Sequence, residues 1–162
     1  MTTVFDDKYF RGLVVWCGFW QACHLLLNIQ YCLGQVDFPL PPPDGWTSQA
    51  QRIFDGIVAG DLIQSVIALV FVVGYFLRKR WSLVWGLVSL ASSMFGSFSF
   101  TYFIVGTGAW TPHAAHYYAI QVLWAPMVVL FLWTCRALSE GPAVAPKPTR
   151  SLPALAEAVP KR

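Results

Sequence analysis

The sequence predicts an all-α integral membrane protein, a bundle of four transmembrane helices with both termini cytoplasmic. Three observations predict it. Only 12% of the 162 residues are charged while 56% are hydrophobic, and the mean hydropathy is +0.53. A soluble domain carries about 25% charged residues, and a single fold of this length cannot hide so much apolar surface from water. Next, four stretches are apolar over the ~20 residues that a helix needs to cross ~30 Å of hydrocarbon. None has the alternation of a membrane strand. Last, Lys and Arg favour alternate connections between those stretches. The net charge of +3 is small and scattered, so no nucleic-acid partner is expected.

The first span, residues 12–34, has no Asp, Glu, Lys or Arg but several neutral polar residues. The second, about 57–77, contains one acid, Asp61. The third, 81–105, is apolar with many small residues that allow close backbone approach, and the fourth covers 114–135. Uninterrupted spans without internal repeats do not suggest a transporter. Lys8 and Arg11 precede the first span, Arg78, Lys79 and Arg80 form the second connection, and Arg136, Lys147, Arg150, Lys161 and Arg162 follow the fourth span. The first loop sets Arg52 against Asp37, Asp44 and Asp55, and the third has neither Lys nor Arg. The positive-inside rule therefore places both termini in the cytoplasm, and loops one and three outside or in a lumen. The mixed-charge start and full-length first span do not read as a cleavable signal peptide.

In the first loop, Phe38 to Trp46 form a stiff polyproline-like run that ends in a turn, and Thr47 or Ser48 can cap a helix leading into the second span. Residues 139–162 are rich in Pro and Ala and are expected to be a disordered cytoplasmic tail, leaving 1–138 as the membrane domain. Cys17, Cys23, Cys32 and Cys135 form no CxxC pair and read as buried small hydrophobes. His113 and His116 could turn one way toward a metal, but beside Trp110, Tyr117 and Tyr118 they read better as an aromatic belt, and no metal is expected.

Function must come from polar residues where lipid normally forbids them. In the first span Gln21, His24, Asn28, Tyr31 and Gln35 recur at spacings of three and four, which puts them on one helix face. Asp61 and Gln64 share a face of the second span; Tyr117, Gln121 and Trp124 share one of the fourth. At 1.5 Å per residue Asn28 lies roughly 9 Å and His24 roughly 15 Å below the outer end of their helix. Asp61 comes out about 6–8 Å deep, Gln64 about 10–12 Å, Gln121 roughly 10 Å and Trp124 roughly 15 Å. Spans one, two and four therefore bring polar groups to one level. An ionisable residue there costs ~2.5–3.5 kcal/mol unless paired or protonated, more than helix-to-helix hydrogen bonding (~0.6 kcal/mol per pair) justifies. The expectation is a ligand pocket.

These residues resemble the emopamil-binding protein superfamily (EXPERA fold), whose branches include sterol isomerases and sigma-2 receptors. The family's His-xxx-Glu is matched by His24-Leu25-Leu26-Leu27-Asn28, its Glu-xx-Thr by Asp61-Leu62-Ile63-Gln64, and its Asn-xx-Trp by Gln121-Val122-Leu123-Trp124. Phe76-Leu77-Arg78 and Phe95-Gly96-Ser97 are similar to its second connection and third span, with Ser97 in place of an Asp, and Trp124-Ala125-Pro126 is similar to the last helix of the sigma-2 branch. The resemblance covers roughly residues 12–136, and it departs at Asn28, an amide where the family has a carboxylate. It implies an apolar lipid ligand and, in a eukaryote, the endoplasmic reticulum membrane; a bacterial chain would sit in the plasma (inner) membrane.

The chemistry expected is isomerisation of a carbon–carbon double bond in a sterol- or terpenoid-like lipid, through a carbocation that a dry pocket protects from water. Asp61 is the expected proton donor, His24 its partner or the base, and Trp124 the ring that stabilises the cation. Asn28, Gln64, Gln121, Tyr117, Tyr31 and Ser97 are the expected binding residues, with no cofactor and with a homodimer allowed. The alternative is a non-catalytic membrane protein that binds a sterol or small amphiphile.

Overall fold

The computed structural model describes residues 4–140. Its elements are α1 (Lys8–Cys32), α2 (Ser48–Phe76), α3 (Trp81–Gly106), a 3-10 turn (Thr111–His113), α4 (Ala114–Trp124) and α5 (Pro126–Ser139), with no strand among the described residues. Four segments are long and apolar enough to cross a membrane: α1, α2, α3 and the stretch Thr111–Ser139. Beyond residue 140 the expected tail lies outside the described residues.

Local chemistry sets the helix ends. The Asp7 carboxylate accepts from the N–H groups of Tyr9 and Phe10 and starts α1. Thr47 caps α2 by accepting from Ala50 N–H. With 29 residues α2 is roughly 44 Å long, more than the ~30 Å that a bilayer core demands. Gly34, at φ 67°, closes α1 with a bond from Gln35 N–H back to Gln30 O. Gln35, expected on the polar stripe, therefore lies past the end of the helix. The α2–α3 connection uses the same closure, Lys79 N–H to Gly74 O, but with Arg78 at φ 56°. A non-glycine residue there costs roughly 1 kcal/mol, and the Arg78 guanidinium is held by Asp6 at 2.6 Å.

The fourth span is broken, contrary to the uninterrupted helix expected from sequence. Pro126 has no N–H to offer the Val122 carbonyl, so α4 stops at Trp124 and α5 restarts after Ala125. The Leu123 carbonyl at the break accepts the Trp16 indole N–H of α1 at 3.0 Å. Beyond the break α5 packs against both α1 and α3, whereas the α4 backbone stands off from both. The break removes uninterrupted spans as a ground for setting a transporter aside.

The core divides in two. Toward the termini, Phe10, Val14, Phe71, Tyr75, Leu90 and Met127 belong to one apolar cluster. Toward the first and third loops, Phe54, Val58, Phe103, Ile104 and Tyr117 belong to another. Along the spans His24, Asn28, Asp61, Gln64, Ser97, Gln121 and Trp124 lie between the members of these clusters, whereas Tyr117 belongs to the second and Tyr31 packs against it. Outward-facing side chains are apolar too, including Phe95, Phe98 and Tyr102 of α3 and Val122 of α4, a surface suited to acyl chains. Of the cysteines, Cys17 is buried and Cys135 half-buried, but Cys23 and Cys32 face outward, contrary to expectation; they join an outer surface that is largely apolar.

Close approach of α2 and α3 depends on glycine, Gly86 of the third span and Gly74 of the second. A Cβ on Gly86 meets the buried Phe71 ring at 2.8 Å, and one on Gly74 meets Ser82 and Trp81 at 2.7 Å. Gly86→Ala should cost about 1–3 kcal/mol in thermal melts of the detergent-solubilised protein. Gly60→Ala, whose Cβ meets nothing within 4 Å, should be neutral or slightly stabilising.

Candidate functional site

Between the two clusters lies a cavity of about 60 Å³. At ~10–15 Å³ per water it holds a few waters or one small ring. Its wall takes His24 and Asn28 from α1, Asp61 and Gln64 from α2, Ser97 from α3, and Gln121 and Trp124 from α4. The sequence placed the pocket in spans one, two and four, with Ser97 the one binding residue expected from the third; Ser93 and Gly96 of α3 line the cavity as well. Ser93, Gly96 and Ser97 leave a space where larger side chains would close the helices together. Trp20, Phe54, Phe100 and Ile120 supply much of the apolar wall. Sequence reasoning missed them because apolar residues in apolar helices carry no distinguishing mark, although Trp20 sits one turn before His24 on the polar face.

His24 Nε2 and Asp61 Oδ2 are 3.8 Å apart, with 27% and 20% of their side chains exposed. The separation is within ion-pair range but too long for a hydrogen bond. A proton passes between them only with a small movement or across a bridging atom. A Cβ at Gly96 would stand 3.1 Å from Asp61 Oδ1, so glycine there gives the carboxylate its room.

Around the pair most polar groups are already bonded. Trp124 donates its indole N–H to Ser93 Oγ at 3.1 Å, leaving the ring as part of the wall. Gln121 accepts from Ser97 Oγ at 3.3 Å and donates to Thr101 Oγ1 at 2.9 Å. Gln64 donates to the Ser89 carbonyl at 3.3 Å. Among the described residues two buried amide nitrogens have no partner, Asn28 Nδ2 and Gln21 Nε2. Such an omission costs about 1–3 kcal/mol. Gln21 lies outside the cavity wall, packed in the α1–α2 contact where its Oε1 accepts from Ser65 Oγ at 3.0 Å.

Tyr31 and Tyr117, both expected to bind ligand, lie outside the wall. The Tyr31 hydroxyl donates to Asp55 Oδ1 at 2.7 Å and accepts from Gln51 Nε2, tying α1 to α2. Tyr117 donates to the Leu40 carbonyl at 2.9 Å. That bond belongs to a roof built by the first loop. Carbonyls in a proline run find few backbone N–H partners, and side chains take three in succession: Trp46 bonds Pro39, Tyr117 bonds Leu40 and His113 Nε2 bonds Pro41. Phe38 reaches from this loop into the cavity wall, stacked on Phe100 with ring centres 5.9 Å apart.

Compared with family models, with curated proteins and with solved structures, the chain matches none.

Phe38→Ala should lower stability by about 1–3 kcal/mol, as loss of a half-buried stacked ring does. It should also open the chamber from the loop end. Carbethoxylation of His24 by diethyl pyrocarbonate, followed by peptide mass spectrometry, should rise severalfold while that of His116 stays constant.

Proposed function

We propose that this is a multi-pass membrane protein that takes the reacting part of an apolar, lipid-like molecule into the cavity, the rest of the molecule lying outside it, and isomerises a carbon–carbon double bond there by proton transfer. The observation that carries the reading is the His24–Asp61 pair, 3.8 Å apart, on the same cavity wall as the Trp124 ring. The sequence resemblance to the emopamil-binding superfamily supports the same chemistry on a sterol- or terpenoid-like skeleton. Protonated Asp61 gives its proton to one alkene carbon and leaves a carbocation on the other. Trp124 offers the cation its ring face, worth about 2 kcal/mol or more in a desolvated site. His24 removes a proton from the neighbouring carbon, and that C–H electron pair becomes the new double bond. Return of the proton from His24 to Asp61 closes the cycle. No oxidation state changes, and the steps require no cofactor. With the ligand in place, the apolar clusters on either side would limit the water that can reach the cation.

Asp61→Asn and His24→Ala should each reduce turnover by ~10²–10⁴-fold, the usual contribution of a general acid or base, with the melting profile kept. The assay incubates purified protein in D₂O buffer with a panel of sterol and terpenoid alkenes and reads deuterium incorporation and double-bond position by mass spectrometry. Unchanged turnover in Asp61→Asn removes the acid from this mechanism.

A second reading, a non-catalytic receptor or carrier for a small amphiphile, is favoured by Asn28. It stands where the resembled family has a carboxylate and cannot exchange protons, so Asp61 is the one acid on the wall. Stable binding without deuterium incorporation selects this reading.

We also infer that the termini face the cytoplasm. Lys8, Arg11, Arg78, Lys79, Arg80 and Arg136 gather at the end of the bundle opposite the first and third loops. In a background without the native cysteines, Asp44→Cys should react with a membrane-impermeant maleimide added outside intact cells or added to the lumen. Glu140→Cys should react only after permeabilisation.

A further inference from the structure

We infer that Asn28 is a ligand subsite that selects an uncharged lipid carrying a hydroxyl or carbonyl oxygen over its hydrocarbon counterpart. The inference rests on the cavity being a lipid site, as proposed above, and adds what the polar end of that lipid must be. On the wall, the side-chain nitrogens of Gln64, Gln121 and Trp124 already donate to Ser89, Thr101 and Ser93. Asn28 Nδ2 donates to nothing, although the residue is only 2% exposed and forms part of the wall. Gln21, the other orphaned amide among the described residues, lies outside this wall, and its Oε1 is engaged by Ser65. Asn28 thus combines an unused donor, near-complete burial and an adjoining space.

The missing partner must be an acceptor. An ammonium ion has none to give, and a hydrocarbon seals the amide away from water without replacing its hydrogen bond. A hydroxyl or carbonyl oxygen supplies it at no cost in charge. His24 lies four residues away, one helical turn along α1. An oxygen held by Asn28 therefore fixes which stretch of the lipid skeleton lies beside the His24–Asp61 pair, making Asn28 a positioning residue for any reaction there. A site built to hydrogen-bond a ligand oxygen rejects the analogue that lacks it, because its own polar group is left unpaired.

The test uses two matched pairs of probes, cholesterol with cholest-5-ene and farnesol with its deoxy hydrocarbon, in equilibrium binding to the full chain in lipid nanodiscs. The wild-type protein should bind the oxygenated member of at least one pair roughly ten- to a hundredfold tighter. Asn28→Leu, close in volume and without a donor, should bind both members alike, with hydrocarbon affinity kept or improved. Asn28→Ser should restore part of the preference. Equal wild-type binding of both members overturns the subsite but leaves the lipid site standing, and this comparison does not depend on how the variants fold. A preference that survives in Asn28→Leu also overturns it. If no probe binds at all, the lipid reading fails and the subsite fails with it.

Discussion

The constraint on which this structure depends is that a carboxylate cannot lie unattended among apolar helices. Asp61 is surrounded by segments otherwise suited to hydrocarbon, and the bundle answers with His24 opposite it and a collar of amides and serines at the same level. Because successive long helices run in alternate directions with the same rise per residue, residues far apart in sequence meet only if their heights along the bundle agree. Here they agree along every span. The two apolar clusters, one on either side of this level, supply the packing that a polar layer cannot.

The space itself has a covalent cause. Pro126 deprives the last span of one backbone bond; beyond it α5 packs closely against α1 and α3, whereas before it α4 reaches α3 through the side chains of Gln121 and Trp124. Trp16 occupies the carbonyl at the break, which keeps the kink from being an unsatisfied defect. Gly96 and its flanking serines widen the same level from the other side. Elsewhere along α3 the opposite holds, since Gly86 lets the Phe71 ring press against the backbone. Small residues on one helix thus serve tight packing at one height and emptiness at another.

How much of this was legible in the sequence follows from what each pattern encodes. Spans are set by hydrophobic length, and an apolar run long enough to cross a bilayer seldom serves any purpose but crossing one, so α1, α2 and α3 were readable to within a few residues at most ends. The level of the polar groups was readable as well, because depth is arithmetic on a rigid helix. The break at Ala125 was not seen, although Pro126 announces it, because hydropathy does not register a missing N–H. Of α3 only Ser97 was picked out, since the same small residues describe both a contact and a void until the neighbouring helix is placed. Tyr31 and Tyr117 share helix faces with pocket residues but sit nearer the loop end, where loop carbonyls and the α2 carboxylate Asp55 claim their hydroxyls.

The proline run in the first loop has a further consequence. Its three successive carbonyls are fastened by an indole, a phenol and an imidazole drawn from two separate parts of the chain. Connections between helices are ordinarily where insertions and drift accumulate. Here each fastening fixes the register of the next, so adding or removing even a single residue misaligns all three together. In descendants of this chain the segment over the chamber should change as slowly as the helices it bridges, and variation should gather instead on the lipid-facing sides of the bundle.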